Sequence, residues 1–124
     1  MSKERQYNLE ERLLEFSVKI IRIVEALPAS RTGNHIAKQL LRSGTSPYAN
    51  HGEAQGAESS KDFIHKMRIC LKELRESERW LKLINRIPLI EPPEKMKTIL
   101  DETEELIKIF ATSIRTAKNN CKKR

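Results

Sequence analysis

Four stretches of this chain place apolar side chains at alternating steps of four and three, the spacing that gathers residues on one face of an α-helix. Leu9, Leu13, Phe16, Ile20, Ile23 and Leu27 make the first stripe, and Leu14, Ile21 and Val24 widen it. Pro28 ends it, because the residue before a proline avoids the α region. The second stretch opens at Ser30 or Thr32, either of which can cap a helix N-terminus. Its stripe runs Ile36, Leu40, Ser43, Pro47, Asn50, Ala54 and Ala57 and is built mostly of small residues, which let a neighbouring backbone approach closely. Pro47 removes one helical hydrogen bond, so a kink or break is expected near Ser43–Pro47.

The third stretch opens on Ser59-Ser60-Lys61-Asp62, a capping-box-like start with Asp in place of the usual Glu or Gln. Phe63, Met67, Cys70, Leu74, Ser77, Leu81 and Ile84 hold its period before Pro88. A proline-stiffened linker, Ile87 to Pro93, leads to a fourth stripe of Met96, Ile99, Thr103, Leu106, Phe110, Ile114, Ala117 and Cys121. Pro93 suits the first turn of that helix. The expected helices span about 8–27, 32–58, 60–86 and 93–121. Their short connections predict an all-α, antiparallel up-down four-helix bundle, with residues 1–124 as a single domain.

Composition narrows what such a bundle can do. Two cysteines, Cys70 and Cys121, cannot make a disulfide framework, and His35, His51 and His65 match no metal-ligand spacing. There is no Gly-rich phosphate loop and no Glu-x-x-His pair of a di-iron bundle. The single Asp62-x-x-His65 reads as a helix cap, and Cys70 as a small buried hydrophobe. No enzyme activity, metal or cofactor is therefore expected. No apolar run approaches a membrane span, and the charged N-terminus lacks the pattern of a signal peptide, so a cytoplasmic protein without membrane contact is expected.

Charge is the informative feature. The net charge is +7 and the pI about 9.6. Residues 59–88 hold eight bases against four acids, residues 89–107 two against six, and residues 108–124 six against none. On the third helix Lys61, His65, Arg68, Lys72, Arg75, Arg79, Lys82 and Arg86 repeat at steps of four and three, one continuous basic stripe over about seven turns. Such a face can track a phosphate backbone or meet an acidic partner. It can also be a solvated face held by local pairs such as Lys72–Glu76 and Glu78–Lys82, or be packed against acids of another helix. Lys118, Lys122, Lys123 and Arg124 form a second basic cluster near the C-terminus. Ile69 and Trp80 lie off the apolar seam of the third helix and mark a candidate interface between subunits.

The run from Ile36 to Ala54 resembles the four-helix bundle family known as 23S rRNA intervening-sequence proteins. The family pattern QLLRS-[AG]-TS-x-x-AN-x-x-EA is matched at Arg42, Ser43, Gly44, Thr45, Ser46, Ala49, Asn50, Glu53 and Ala54. Its later elements are matched by Ser59, Asp62-Phe63, Glu73, Glu76 and Trp80-Leu81, and the likeness extends from about Leu9 to Thr116. Pro47-Tyr48 stands where Ile-Gly is commoner. The resemblance implies a four-helix bundle that assembles into a homopentamer. It also implies kinship with the accessory protein of diversity-generating retroelements, a basic pentamer that binds a reverse transcriptase and nucleic acid. The motif residues Arg42 to Ser46, Asn50 and Glu53 read as structural, with Asn50 and Glu53 expected to satisfy groups near Pro47.

Taken together, the residues predict a homo-oligomer that binds RNA or DNA through Arg68, Lys72, Arg75, Arg79, Lys82, Arg86, Lys118, Lys122, Lys123 and Arg124. The alternative is a scaffold or accessory factor that docks an acidic protein partner without touching nucleic acid directly.

Overall fold

The computed structural model describes the chain from Ser2 to Lys122, with side chains from Asn8 onward. Four helices follow in order: α1 (Ser2–Ala26), α2 (Arg31–Gln55), α3 (Ser60–Arg86) and α4 (Glu94–Lys122). Consecutive helices pack along their lengths, and α4 returns to α1 over a much sparser contact, closing an up-down bundle. The boundaries differ from the expected ones at two places. α1 begins at Ser2 rather than near residue 8, because Lys3 to Gln6 are good helix formers even before the apolar stripe starts. α2 ends at Gln55 rather than 58, with Gly56 as its C-cap, since past Ala54 no large apolar residue anchors another turn.

Capping chemistry sets the starts. Ser30 is the N-cap of α2, its hydroxyl accepting from the Gly33 amide at 3.0 Å. Ser59 caps α3 in the same way, accepting from the Asp62 amide at 3.0 Å. Position 33 needs glycine for space: a Cβ there would stand 1.9 Å from the Pro28 carbonyl oxygen.

The core is the sum of the four stripes. Phe16 and Ile20 of α1, Leu40 of α2, Leu74 and Leu81 of α3, and Leu106 and Phe110 of α4 have essentially no solvent exposure. Truncating one of these to Ala removes about 2–5 kcal/mol through lost burial and the cavity left behind. Ile90 of the linker is also buried, and Leu89 packs beside it, so the proline-rich connection covers one end of the bundle.

The break expected near Ser43–Pro47 is absent, and α2 runs unbroken with Pro47 inside it. Proline leaves the Ser43 carbonyl without its usual helical donor. Neighbouring groups hold this stretch from both sides. The Ser17 hydroxyl of α1 lies 3.5 Å from the Gly44 carbonyl, and the Cys70 thiol of α3 lies 3.5 Å from the Pro47 carbonyl. Gly44 lets α1 close in: a Cβ there would fall 2.5 Å from a methyl of Ile20. No helix among the described residues is long and apolar enough to cross a membrane.

Candidate nucleic-acid interface

The eight positions of the basic stripe on α3 are all exposed. The buried residues Cys70, Leu74, Ser77 and Leu81 occupy the opposite side of the same helix, so the stripe points away from the bundle. That disposes of the reading in which another helix covers it. The local-pair reading survives at one position only. Lys82 stands 3.9 Å from Glu78, at the outer limit of an ion pair. Among the described residues, Arg68, Lys72, Arg75, Arg79 and Arg86 have no carboxylate within 4.0 Å.

The Lys72–Glu76 pair of the local-pair reading does not form because Glu76 is engaged elsewhere. It accepts from the Arg42 guanidinium of α2 and from the Trp80 indole N–H at 3.0 Å. Arg42 also binds Glu73 at 2.9 Å, so one guanidinium bridges two carboxylates one turn apart on α3. The acids flanking the stripe are thus drawn toward α2, and the bases are left facing solvent. Glu73 is nearly buried, a role the sequence pattern does not show because Glu73 immediately precedes the seam residue Leu74.

Lys118 and Lys122 of the second basic cluster lie toward the end of the bundle where the α3 stripe begins. α3 and α4 are antiparallel neighbours, so the C-terminal end of α4 lies beside the start of α3. Ser59, Ser60 and Phe63 share a cleft with Ala117, Asn120 and Cys121 there. Lys118 and Lys122 are exposed at this end. Lys123 and Arg124 lie outside the described residues.

The family-motif residues have local tasks. Ser43 accepts from the Ser77 hydroxyl at 2.9 Å inside the core, and Thr45 returns its hydroxyl to the Leu41 carbonyl at 2.7 Å. The Asn50 amide donates to the Ser46 carbonyl at 3.0 Å and to the Ser46 hydroxyl at 2.8 Å. Glu53 receives Lys66 of α3 at 2.8 Å. Trp80 is half-buried, packs against the core and meets His35 edge-on with ring centroids 5.9 Å apart. Ile69 is half-buried as well.

Burial pushes the Cys70 thiol up to about 12, which keeps it protonated and unreactive. Among the described residues no group of three or more His, Cys, Asp or Glu is placed to hold a metal ion. A second buried titratable group, His51, also escapes the sequence pattern. His51 takes the seam position that the period assigned to Asn50, while Asn50 turns to the helix flank. Its Nε2 lies 3.2 Å from the Gln55 amide nitrogen, its ring meets Phe110 edge-on, and its Nδ1 has no hydrogen-bond partner. Desolvation lowers its pKa below the ordinary histidine value.

Fold and surface together define a small four-helix bundle with an uncovered cationic face along α3. The 23S rRNA-intervening sequence protein family matches residues 5–112, and the chain belongs to that family. It is similar to the crystal structure of a protein of unknown function from the S23 ribosomal protein family of Bacteroides thetaiotaomicron VPI-5482. The two share 38% identity over 86% of this chain and 97% of that one, with a TM-score of 0.79. No functionally curated protein matches the chain.

Proposed function

We propose that this protein is a non-enzymatic, cytoplasmic bundle that assembles with copies of itself and binds RNA or DNA through the outer face of α3 and the adjoining end of α4. The observation that carries the reading is the state of the stripe. Six of its bases, Lys61, Arg68, Lys72, Arg75, Arg79 and Arg86, are exposed with no carboxylate within 4.0 Å among the described residues, while Glu73 and Glu76 beside them are committed to Arg42 and Trp80. A line of unneutralised charges along one helix face suits a phosphate backbone, which releases counterions when it is matched. Aromatic side chains are only 5% of the chain, so binding is electrostatic and tolerant of sequence rather than built on base stacking. Self-assembly is supported by the family resemblance, which implies a pentamer. Repeating the stripe on several copies would raise avidity through effective concentration.

Binding of structured rRNA fragments measured across a salt series tests this. The slope of log affinity against log salt is expected to be about −0.7 to −0.9 per phosphate neutralised. Arg75→Gln with Arg79→Gln lowers affinity and flattens that slope. Lys95→Gln with Lys97→Gln, an equal charge loss at exposed positions off the stripe, does much less. Equal effects from the two pairs would show that overall charge does the binding. Absence of binding at low salt would replace this reading with the acidic-protein scaffold.

A further inference from the structure

The two ends of the bundle are closed differently. Where α3 stops, Leu89 and Ile90 of the linker cover the core. At the other end α2 and α4 finish and α3 begins, and small apolar side chains meet there: Ala54, Ala57 and Ala117. Phe63 opens the apolar seam of α3, but it is only half-buried, whereas Met67 and Cys70 behind it are sealed from solvent. The gap beside it is a cleft of about 370 Å³. It runs on into a groove between α1 and α4, the sparsest helix contact of the bundle, with Phe63, Ala117 and Asn120 lining both.

The lining states what the cleft can hold. Phe63 offers an aromatic face. Gln55 and Asn120 are exposed amides that can donate and accept, and Ser59 and Ser60 add hydroxyls. Among the described residues no charged side chain lines the cleft. Cations stand outside it instead. Lys61 adjoins Ser60, Lys118 adjoins Ala117 and Lys122 adjoins Cys121, and all three are exposed. Among the described residues none of them has a carboxylate within 4.0 Å. Asp62, the acid of the first turn of α3, accepts from the Glu58 amide at 3.4 Å. A flat neutral heterocycle with donors and acceptors on its edges, carried between phosphates, matches this division. A purely apolar ligand would leave the amides unpaired, and a small anion would need cations inside the lining. Bases splayed out of a strand are held in this manner, stacked on an aromatic ring and hydrogen-bonded along their edges.

We infer that this cleft takes one unpaired base of a nucleic-acid strand bound along α3, stacked on Phe63. The inference rests on the nucleic-acid part of the proposed function and narrows its substrate to a strand with an unpaired nucleotide beside the stripe. Lys61, the first cation of the stripe, is on the opening turn of α3, so stripe and cleft are separated by no more than the helix's own width, ~10–12 Å. The stripe supplies sequence-tolerant affinity, and the cleft adds a single base to it.

The full-length chain is titrated with three RNAs that share one stem: a blunt duplex, the same duplex with a short single-stranded overhang, and one whose overhang nucleotides are abasic. The base-bearing overhang is expected to bind roughly tenfold tighter than the abasic one. An aminopurine placed in it should lose fluorescence on binding, through stacking. Phe63→Leu and Asn120→Ala should each remove most of that advantage and leave blunt-duplex affinity unchanged, and Phe63→Trp should keep it. Asn120 is exposed, so its variant reads the cleft even where Phe63→Leu lowers stability. Arg75→Gln with Arg79→Gln should weaken all three RNAs alike. Failure of every RNA to bind at low salt would overturn the nucleic-acid reading and this inference with it. Equal binding of the base-bearing and abasic overhangs, or an advantage that survives both Phe63→Leu and Asn120→Ala, would overturn the cleft and leave the stripe standing. Displacement of the overhang by micromolar adenosine monophosphate would overturn the strand as the occupant and assign the cleft to a free nucleotide.

Discussion

Ser77 of α3 donates its hydroxyl to the hydroxyl of Ser43 of α2 at 2.9 Å, with both side chains sealed from solvent. Two small polar residues therefore meet in the seam between two long helices, one turn before the proline of α2. Leucine at either position would need volume that the seam does not have, and alanine would leave one hydroxyl with less company.

A double-mutant cycle reads this pair. Ser77→Ala is expected to cost about 1 kcal/mol, and the coupling with Ser43→Ala to be about 0.5–1.5 kcal/mol by urea denaturation. Ser77→Leu should cost more than either alanine, because overpacking a close helix contact forces the backbones apart. A coupling indistinguishable from zero would show that the hydroxyls are satisfied independently.

Arg42 carries a different kind of link. It is half exposed, but it neutralises Glu73, which is nearly buried. Arg42→Met should lower stability by roughly 1–3 kcal/mol, mainly because the Glu73 carboxylate loses its partner rather than because an ion pair is lost. Glu73→Gln in the same chain should recover part of that loss. If the second change lowers stability further, the carboxylate is not the source of the cost.

His51 makes the bundle sensitive to acid. Its folded-state pKa lies below the ordinary value of 6.5 because burial disfavours the charged ring, while Glu10 of α1 pulls weakly the other way. The unfolded chain therefore takes up the proton first. Stability from this group is complete above about pH 6.5 and falls as the pH drops toward the depressed folded value. Melting temperature measured between pH 7.5 and 5 should decline on acidification, and His51→Phe should flatten that part of the profile. An unchanged profile in the variant would assign the decline to other groups.

Two glycines of α2 should respond in opposite directions to alanine. At Gly33 the new methyl would overlap the Pro28 carbonyl, and the backbone must move, so Gly33→Ala is expected to cost about 1–3 kcal/mol. At Gly52 an added Cβ meets nothing within 4 Å, so Gly52→Ala should stabilise the helix by about 0.5–1 kcal/mol through propensity alone. Thermal melts of the two variants against wild type decide it.

The number, order and core faces of the helices are legible in the chain's period and punctuation, because both are local. Leu13, Leu40, Leu74 and Leu106 announce their burial through spacing, and Ser30 and Ser59 announce helix starts through capping chemistry. The basic stripe was equally legible, since eight positions at steps of four and three on one helix share a side whatever the helix packs against. Which side chains pair between helices depends on how the helices pack. Glu76 could have bound Lys72 of its own helix, and only the approach of α2 gives it to Arg42 and leaves Lys72 bare. The seam position went to His51 rather than Asn50 because exact helix rotation around an internal proline depends on what α1, α3 and α4 press against it. Leu14 and Ile21 widen the first stripe in a one-dimensional pattern. They stand exposed because four helices around one core cover a limited arc of each, and apolar residues beyond that arc remain on the outside.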